Sequence, residues 1–184
     1  MKIYKVGGVI RDELLGFAPG ETDWVVIGSS PEEMFLHGFR RVGKDFPVFL
    51  HPQTKEAYAL GRKEKKVGRK HGDFEFIFDK TISLEEDLQR RDLTINAIAQ
   101  NENGDLIDPF GGINDLKKKV LRHVSESFFE DSLRALRLAR FYSKFSDFQI
   151  HPSTKKILQK ISQSGELHYL SGEISFESLV KKIE

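Results

Sequence analysis

The sequence predicts an α+β fold, with an α/β head over residues 1–122 followed by a helical module over residues 123–184. Strand and helix signals alternate through the first 80 residues, bounded by Gly and Pro, and the pattern becomes mostly helical from Ser83 onward. The chain has 184 residues, of which 39% are hydrophobic, including 15 Phe, so it can bury a real core. One domain with a smaller helical appendage is therefore expected.

The head begins with two strand–helix units. "KIYKV" predicts the first strand, the Gly7–Gly8 pair ends it, and "VIRDELLG" predicts a short helix that ends at Gly16. "DWVVIG" predicts a buried strand, and Ser30 with Pro31 predicts the start of a helix over "SPEEMFLHG". Further strands are predicted at "FPVFL" and "EAYAL". This alternation indicates a small sheet with flanking helices.

The middle of the chain combines a basic segment with a second set of signals. Residues 61–72 are rich in Lys, Arg and Gly and predict a mobile basic loop. "DFEFIFD" alternates apolar and polar side chains and predicts a half-buried or edge strand. Ser83 and Glu86 predict a capping box, "LTINAIA" a helix, and Asn103–Gly104 the tip of a hairpin. Helices are then predicted at "INDLKKKVLRHV", "EDSLRALRLARFYSKF" and "PSTKKILQKI".

Composition excludes several classes of site. The chain has no Cys, which excludes disulfides, thiolate metal sites and a Cys nucleophile. Lys plus Arg (29) nearly equal Asp plus Glu (28), so only local charge clusters can argue for nucleic acid. No apolar run reaches membrane-spanning length, and no signal region precedes the first strand. We therefore expect a soluble, cytoplasmic protein without membrane association, whose oligomeric state the sequence leaves unknown.

Two constellations near the N-terminus could carry chemistry. A strand, a Gly pair and a helix start make an anion site in which Gly8 lets a phosphate approach and Arg11 can bind it. Glu21 and Asp23, two residues apart, would share one face of a strand, and their oxygens suit Mg²⁺. Taken alone, the first can also be an ordinary Gly-Gly turn, and the second a polar turn before a buried strand.

Two further constellations lie in the predicted helices. "RRDLTIN", residues 90–96, places two Arg and an Asp next to an Asn, although such a charge run can simply be a solvated face. In "EDSLRALRLARF", residues 130–141, Arg134 and Arg137 share an angular sector with apolar side chains. Asp131 lies one turn before Arg134, and a guanidinium beside a carboxylate can read a nucleobase edge. The alternative is an intrahelical ion pair with snorkelling arginines.

The order of these motifs carries a resemblance. "YKVGGVIRDELLG", "TDWVVIGSSPEEM", "GKDFPVFLHPQT", "RRDLTINAIA", "DLIDPFGG" and "EDSLRALRLARF" together closely resemble the bacterial CCA-adding enzymes. These are class II tRNA nucleotidyltransferases, and bacterial poly(A) polymerases are close relatives in the same superfamily. The resemblance covers residues 1 to about 145. It implies a nucleotidyltransferase-type small mixed sheet with flanking helices, followed by an all-helical neck.

The resemblance also implies roles for individual residues. Gly8 and Arg11 would hold the triphosphate, and Glu21 and Asp23 would bind Mg²⁺ as the catalytic carboxylates. The remaining nucleotide-binding positions implied by the family are Arg91, Asp92, Asn96, Asp131, Arg134, Arg137 and Arg140. Asp131 and Arg134 would read CTP and ATP edges. The implied reaction is Mg²⁺-dependent attack of the tRNA 3′-hydroxyl on the α-phosphate of CTP or ATP, with release of pyrophosphate.

The sequence departs from the family pattern in several places. The first metal ligand is usually Asp but is Glu21 here, and the position of a third acidic residue in the next strand matches Ala57. Glu56 is adjacent, but a one-residue slip would point it to the other face. Ile174 and Glu177 stand where the family has Arg and Lys, and the chain ends before the body and tail. Two alternatives to CCA addition therefore stay open: poly(A) addition, and a catalytically impaired module that binds nucleotide or RNA. The helical neck is expected to be truncated.

Overall fold

The computed structural model describes residues 1–18, 20–43, 48–68, 73–165 and 167. Within them a seven-stranded mixed sheet has the order β3-β4-β5-β2-β1-β8-β9. Its strands are β1 (Lys2–Val6), β2 (Asp23–Ile27), β3 (Arg40–Val42), β4 (Val48–Leu50), β5 (Ala57–Leu60), β8 (Ala99–Gln100) and β9 (Leu106–Ile107). Strands β2 and β5 run parallel, with Trp24 opposite Tyr58, and the other described pairs of this sheet are antiparallel.

Helices flank this sheet and continue beyond it. They are α1 (Gly8–Leu14), α2 (Pro31–Leu36), α3 (Leu84–Gln89), α4 (Gly112–Lys117), α5 (Leu133–Lys144) and α6 (Pro152–Ser164). Short 3-10 helices span Thr94–Asn96 and Glu126–Glu130. The predicted mixed sheet with flanking helices is confirmed, and so are the caps: Ser30 accepts from the Glu33 N–H, and Ser83 forms the capping box with Glu86. Gly104 lies at the tip of the β8–β9 hairpin with φ 88°.

Part of the predicted basic loop is a strand. Lys63–Lys66 forms β6, which pairs antiparallel with β7 (Phe74–Ile77) in a separate two-stranded sheet. Its side chains alternate between exposed and partly buried, and the Glu64 carboxylate binds Arg90 from α3's C-terminus at 2.8 Å. Pairing and buried ion contacts therefore order a segment whose composition suggests a loop. Residues 69–72 lie outside the described residues.

Two predicted helices are shorter than expected. Over "LTINAIA" only Thr94–Asn96 is helical, because the Gly7 N–H donates to the Ile98 carbonyl at 3.1 Å and Ala99 pairs with β1 and β9. The helix over "INDLKKKVLRHV" ends at Lys117. It is followed by β10 (Val120–Leu121), which pairs in parallel with β11 (Gln149–Ile150). The neck module is therefore not entirely helical.

One core cluster joins the two predicted modules. Val9, Leu93 and Ile98 pack in the same buried cluster as Phe128 and Leu138, which lie beyond residue 122. The described parts of the head and the neck therefore share a core, and the boundary at residue 122 stays a prediction. Ile174 and Glu177 lie outside the described residues. Among the residues that the structure describes, no helix is both long and apolar enough to cross a membrane.

Candidate active site

A cleft of about 750 Å³ lies where the β1–α1 turn, the start of β2, residues 90–96 and α5 come together. It brings together ten of the eleven predicted site residues. These are Gly8, Arg11, Asp23, Arg91, Asp92, Asn96, Asp131, Arg134, Arg137 and Arg140. Glu21 does not line it in the part of the chain that the structure describes.

The Gly7–Gly8 turn lets two guanidinium groups approach the backbone. Gly7 has φ 82°, and a Cβ built on it would lie 3.0 Å from Arg91 Nη1 and 3.9 Å from Asp23 Oδ2. A Cβ built on Gly8 already meets Arg11 Nη2 at 3.3 Å. Glycine is therefore required at position 7 both by the left-handed backbone and by the close approach of a side chain.

Arg11 is held rigidly against the wall of the cleft. Its Nη1 donates to Asn96 Oδ1 at 2.6 Å, and its Nε and Nη2 donate to Asp12 at 2.8 and 2.9 Å. The guanidinium carbon lies 5.0 Å from the ring centre of Phe141 on α5. A buried arginine held by three hydrogen bonds and an aromatic ring is a preorganised anion contact.

Asp92 connects this group to α5. Its Oδ1 accepts from the Leu93 N–H at 2.8 Å and from Asn96 Nδ2 at 3.0 Å, and its Oδ2 accepts from Arg137 Nε at 2.9 Å. Burial alone would raise the pKa of Asp92, but the charge of Arg137 and these hydrogen bonds outweigh it and lower that pKa below its usual value. Arg137, Asp92, Asn96 and Arg11 therefore form one continuous network.

Arg91 is only partly satisfied. Its Nη2 donates to Asp87 at 3.3 Å, and its buried Nε has no hydrogen-bond partner among the described residues. Asp87 is fully buried and also binds Arg90 at 2.5 Å. Burial would raise the pKa of Asp87, but Arg90 and Arg91 outweigh it and lower the pKa. Arg91 therefore retains hydrogen-bonding capacity beside the Gly7 turn and Asp23.

Asp23 lies at the start of β2. The surrounding protein partly desolvates its carboxyl group and raises its pKa, and Glu21 raises it further, while Arg91 and Arg137 act in the opposite direction. The two carboxylates are thus close enough to feel each other's charge. Mg²⁺ accepts one or two protein carboxylates together with substrate phosphate oxygens, so this donor set suits the ion. Within the described ranges no group of three or more His, Cys, Asp or Glu residues could hold a metal.

Ala57 lies next to Asp23 in the sheet. Trp24 opposes Tyr58 in the parallel β2–β5 pair, so one position earlier Asp23 comes beside Ala57, and both line the cleft. A side chain at position 57 could therefore act together with Asp23, but alanine offers no oxygen ligand. Whether Glu21 and Asp23 bind a metal stays a prediction.

The start of α5 differs from the sequence prediction. Helix α5 begins at Leu133, and Asp131 is extended, with φ −125° and ψ 101°. Asp131 Oδ1 accepts from the Leu133 N–H at 3.0 Å, and its Oδ2 lies 3.9 Å from Arg134 Nε. Arg134 is buried and donates to the Ser127 carbonyl at 3.0 Å. The carboxylate and the guanidinium still stand side by side at the cleft, but not as neighbours on one helix.

Sequence reasoning missed several charged residues of the cleft. Arg62, Glu64 and Arg90 line it, and Asp87 orients its arginines from behind. Arg90 belongs to the "RRD" run, and Asp87 precedes Arg90 and Arg91 by three and four residues, the spacing of ion pairs on a helix. Glu64 gave no sequence signal, because it stands among lysines in a segment that was predicted to be a loop. Among the described residues, eight cationic and five acidic side chains line the cleft, an excess of positive charge that suits a polyphosphate.

Comparison with known proteins identifies the family of the chain. The family model described as "Poly A polymerase head domain" matches residues 3–122. A CCA-adding enzyme from Coxiella burnetii is 55% identical over 179 residues, which is 97% of this chain and 48% of that protein. The chain thus spans about half the length of the curated relatives that it matches.

Solved structures of similar proteins show the same fold. The Bacillus stearothermophilus CCA-adding enzyme in complex with CTP is 36% identical with a TM-score of 0.65, over 84% of this chain and 38% of that one. The Thermotoga maritima CCA-adding enzyme complexed with tRNA_CCA is 30% identical with a TM-score of 0.66, over 91% and 39% of the respective chains. The similarity covers most of this chain but less than half of each solved protein.

Proposed function

Because this chain belongs to the Poly A polymerase head domain family, we propose that it carries the nucleotide-transfer site of a tRNA nucleotidyltransferase. The proposed reaction adds CMP and AMP, from CTP and ATP, to the 3′ end of tRNA. The observation that carries the proposal is the convergence of ten predicted site residues on one positively charged cleft. Relatives named CCA-adding enzyme and multifunctional CCA protein support the same reaction. The proposal includes the cytoplasmic location that the sequence predicts.

Triphosphate binding falls to the arginines around the Gly7–Gly8 turn. Arg11 is fixed by Asp12 and Asn96, so it loses little conformational entropy when it binds a phosphate. Arg91 has a buried Nε without a described partner and points a second nitrogen at the turn. Both groups would neutralise charge on the β- and γ-phosphates, and so stabilise the departing pyrophosphate.

Transfer requires the RNA 3′-oxygen to bond to the α-phosphorus while the bond to the pyrophosphate oxygen breaks. Asp23, with Glu21 near it, would hold Mg²⁺, which when bound lowers the pKa of the attacking hydroxyl. Burial raises the pKa of Asp23, so a nearby cation would stabilise its ionised form. Arg91, the strongest opposing charge on Asp23, helps to keep it ionised at neutral pH.

Base selection is assigned to Asp131 and Arg134. Their side chains offer acceptors and donors 3.9 Å apart at the cleft, a combination that suits hydrogen bonding to a nucleobase edge. Arg137 and Asp92 would support the ribose and keep Asn96 oriented. Positioning and electrostatics supply most of the rate enhancement in such a site.

A specific observation favours a second candidate function. Ala57 stands beside Asp23 without an oxygen ligand, and Glu21 lies outside the described lining of the cleft. A module that binds nucleotides and RNA but transfers slowly or not at all is consistent with this arrangement. Poly(A)-type addition of AMP alone is the third possibility, and the same cleft residues would serve it.

Incubation with Mg²⁺, labelled CTP or ATP, and tRNA that lacks its terminal CCA tests the proposal. We expect incorporation of both labels, and loss of incorporation in Asp23→Ala with the fold retained by circular dichroism. Incorporation of AMP alone onto any RNA 3′ end would favour the poly(A) reaction. No incorporation, with nucleotide binding intact by calorimetry, would favour the binding module, and activity that survives in Asp23→Ala would refute the metal assignment.

A further inference from the structure

Glu64 occupies an unusual position at the edge of the cleft. It lies on β6, its side chain is only 13% exposed, and it faces three arginines from three different segments. Its Oε1 accepts from Arg62 Nε at 2.9 Å and from Arg90 Nη1 at 2.8 Å, and its Oε2 lies 3.5 Å from Arg134 Nη2. One carboxylate therefore connects the β6–β7 pair, the "RRD" segment and α5.

The three arginines depend on Glu64 to different degrees. Arg90 has a second carboxylate partner in Asp87. Arg62 stacks over Phe76, and burial together with the charge of Arg90 lowers its pKa to about 10. Arg134 donates to Ser127 through Nη1 and to Glu64 through Nη2. Its Nε lies 3.9 Å from Asp131 Oδ2. Loss of the Glu64 carboxylate would therefore leave Nη2 of Arg134 without this contact, and the orientation of the guanidinium would depend on Ser127 and on the longer contact to Asp131.

We propose that Glu64 is a positioning residue for nucleotide selection: its carboxylate sets the orientation of the Arg134 guanidinium, which links the β6–β7 pair to the choice of base. The inference rests on the proposed function, in which Arg134 reads the base edge. Two fixed edges leave the guanidinium one orientation toward the cleft, and a planar donor group discriminates between bases only when its plane is fixed. Glu64 itself need not touch the nucleotide.

Two substitutions separate positioning from electrostatics. Glu64→Gln keeps the shape but removes the negative charge and directs an amide N–H₂ toward one arginine. If Glu64 acted only through its charge, its removal would tighten the binding of every nucleoside triphosphate. If it positions Arg134, the preferred nucleotides should lose affinity while the others change little. Glu64→Asp keeps the charge but withdraws it by one methylene, so it should lie between wild type and Glu64→Gln.

The experiment measures dissociation constants of CTP, ATP, GTP and UTP by calorimetry in Mg²⁺, for wild-type and variant full-length chains. We expect wild type to prefer CTP and ATP, and Glu64→Gln to lower that preference about tenfold, as loss of one charged hydrogen bond predicts. Glu75→Gln is the matched control, because Glu75 is exposed on β7 opposite Lys65 and lies outside the cleft lining. It should leave all four constants unchanged.

Four outcomes would overturn the inference. An equal change for all four nucleotides in Glu64→Gln would assign Glu64 a purely electrostatic role, and four unchanged dissociation constants would give it no role in nucleotide binding. If Glu64→Gln does not fold, wild-type selectivity in a folded Glu64→Asp would be the contradicting result. Wild-type protein that binds no nucleotide would contradict the proposed function, and this inference with it.

Discussion

Replacing Asp92 with Asn tests the network that connects α5 to the Gly7–Gly8 turn. Asp92 is almost fully buried and receives hydrogen bonds from Leu93 and Asn96 on one oxygen and from Arg137 on the other. An asparagine has only one acceptor oxygen. If that oxygen still accepts from Leu93 and Asn96, the N–H₂ group of the asparagine faces the guanidinium of Arg137. Two hydrogen-bond donors then point at each other.

The structure sets the size of the effect. Losing a hydrogen bond to a charged partner costs about 1.5–3 kcal/mol. Because the Arg137 side chain is 42% exposed, water can replace part of the lost interaction. The unmatched buried donor costs about 1 kcal/mol more. We expect Asp92→Asn to lower the free energy of unfolding by about 2–3 kcal/mol, and the melting temperature by roughly 5–10 °C.

The assay is urea unfolding of both proteins, followed by the fluorescence of the single Trp at position 24. Because the pKa of Asp92 in the native state lies below its usual 3.8, the native state binds fewer protons than the unfolded state as the pH falls toward and through 3.8. The stability that Asp92 contributes is therefore complete above pH 3.8 and is lost as pH falls through its lower native pKa. A difference below about 0.5 kcal/mol at pH 7, or one that widens in acid, would refute this reasoning.

Three further predictions concern single positions. Asp23→Asn should abolish transfer yet slightly raise stability at pH 7 in urea unfolding, because a raised native pKa makes the charged form unfavourable; this gain should vanish below pH 3.8. Ser83→Ala breaks the capping box with Glu86 and should cost about 1 kcal/mol by the same measurement. Gly7→Ala meets Arg91 at 3.0 Å with φ 82° and should weaken calorimetric CTP binding more than tenfold.

Local sequence signals predicted the first four elements of the chain well, although strand β3 (Arg40–Val42) was not predicted. At β1, α1, β2 and α2 the periodicity, the Gly and Pro positions and the cap residues agree, so each element is specified within its own segment. The failures at Ala99 and Val120 have another cause. Both residues belong to two-residue strands whose partners lie far away in sequence, Val6 and Gln149, and no local pattern records such pairing.

The site was predictable to a similar extent. The order of motifs pointed to eleven residues, of which ten line one cleft. Gly8 and Asp23 lie at a Gly turn and a strand start, and Arg137 and Arg140 follow on one helix, so their motifs are continuous in the sequence. Glu64 was missed because folding alone brings Arg90 and Arg134 to it. Asp87 was missed although Arg90 and Arg91 follow it by three and four residues, because such pairs are common on solvated helices. Acidic residues that hold arginines in place have the same local signature as ordinary surface charges.

In the proposed complex the cleft binds the nucleotide with its triphosphate at the Gly7–Gly8 turn. A crystal structure of the chain with CTP and Mg²⁺ tests this arrangement most directly. We predict phosphate oxygens within hydrogen-bond distance of Arg11 and Arg91, and the cytosine edge facing Asp131 and Arg134. CTP bound elsewhere, or bound in the cleft with its phosphates away from that turn, would contradict the account.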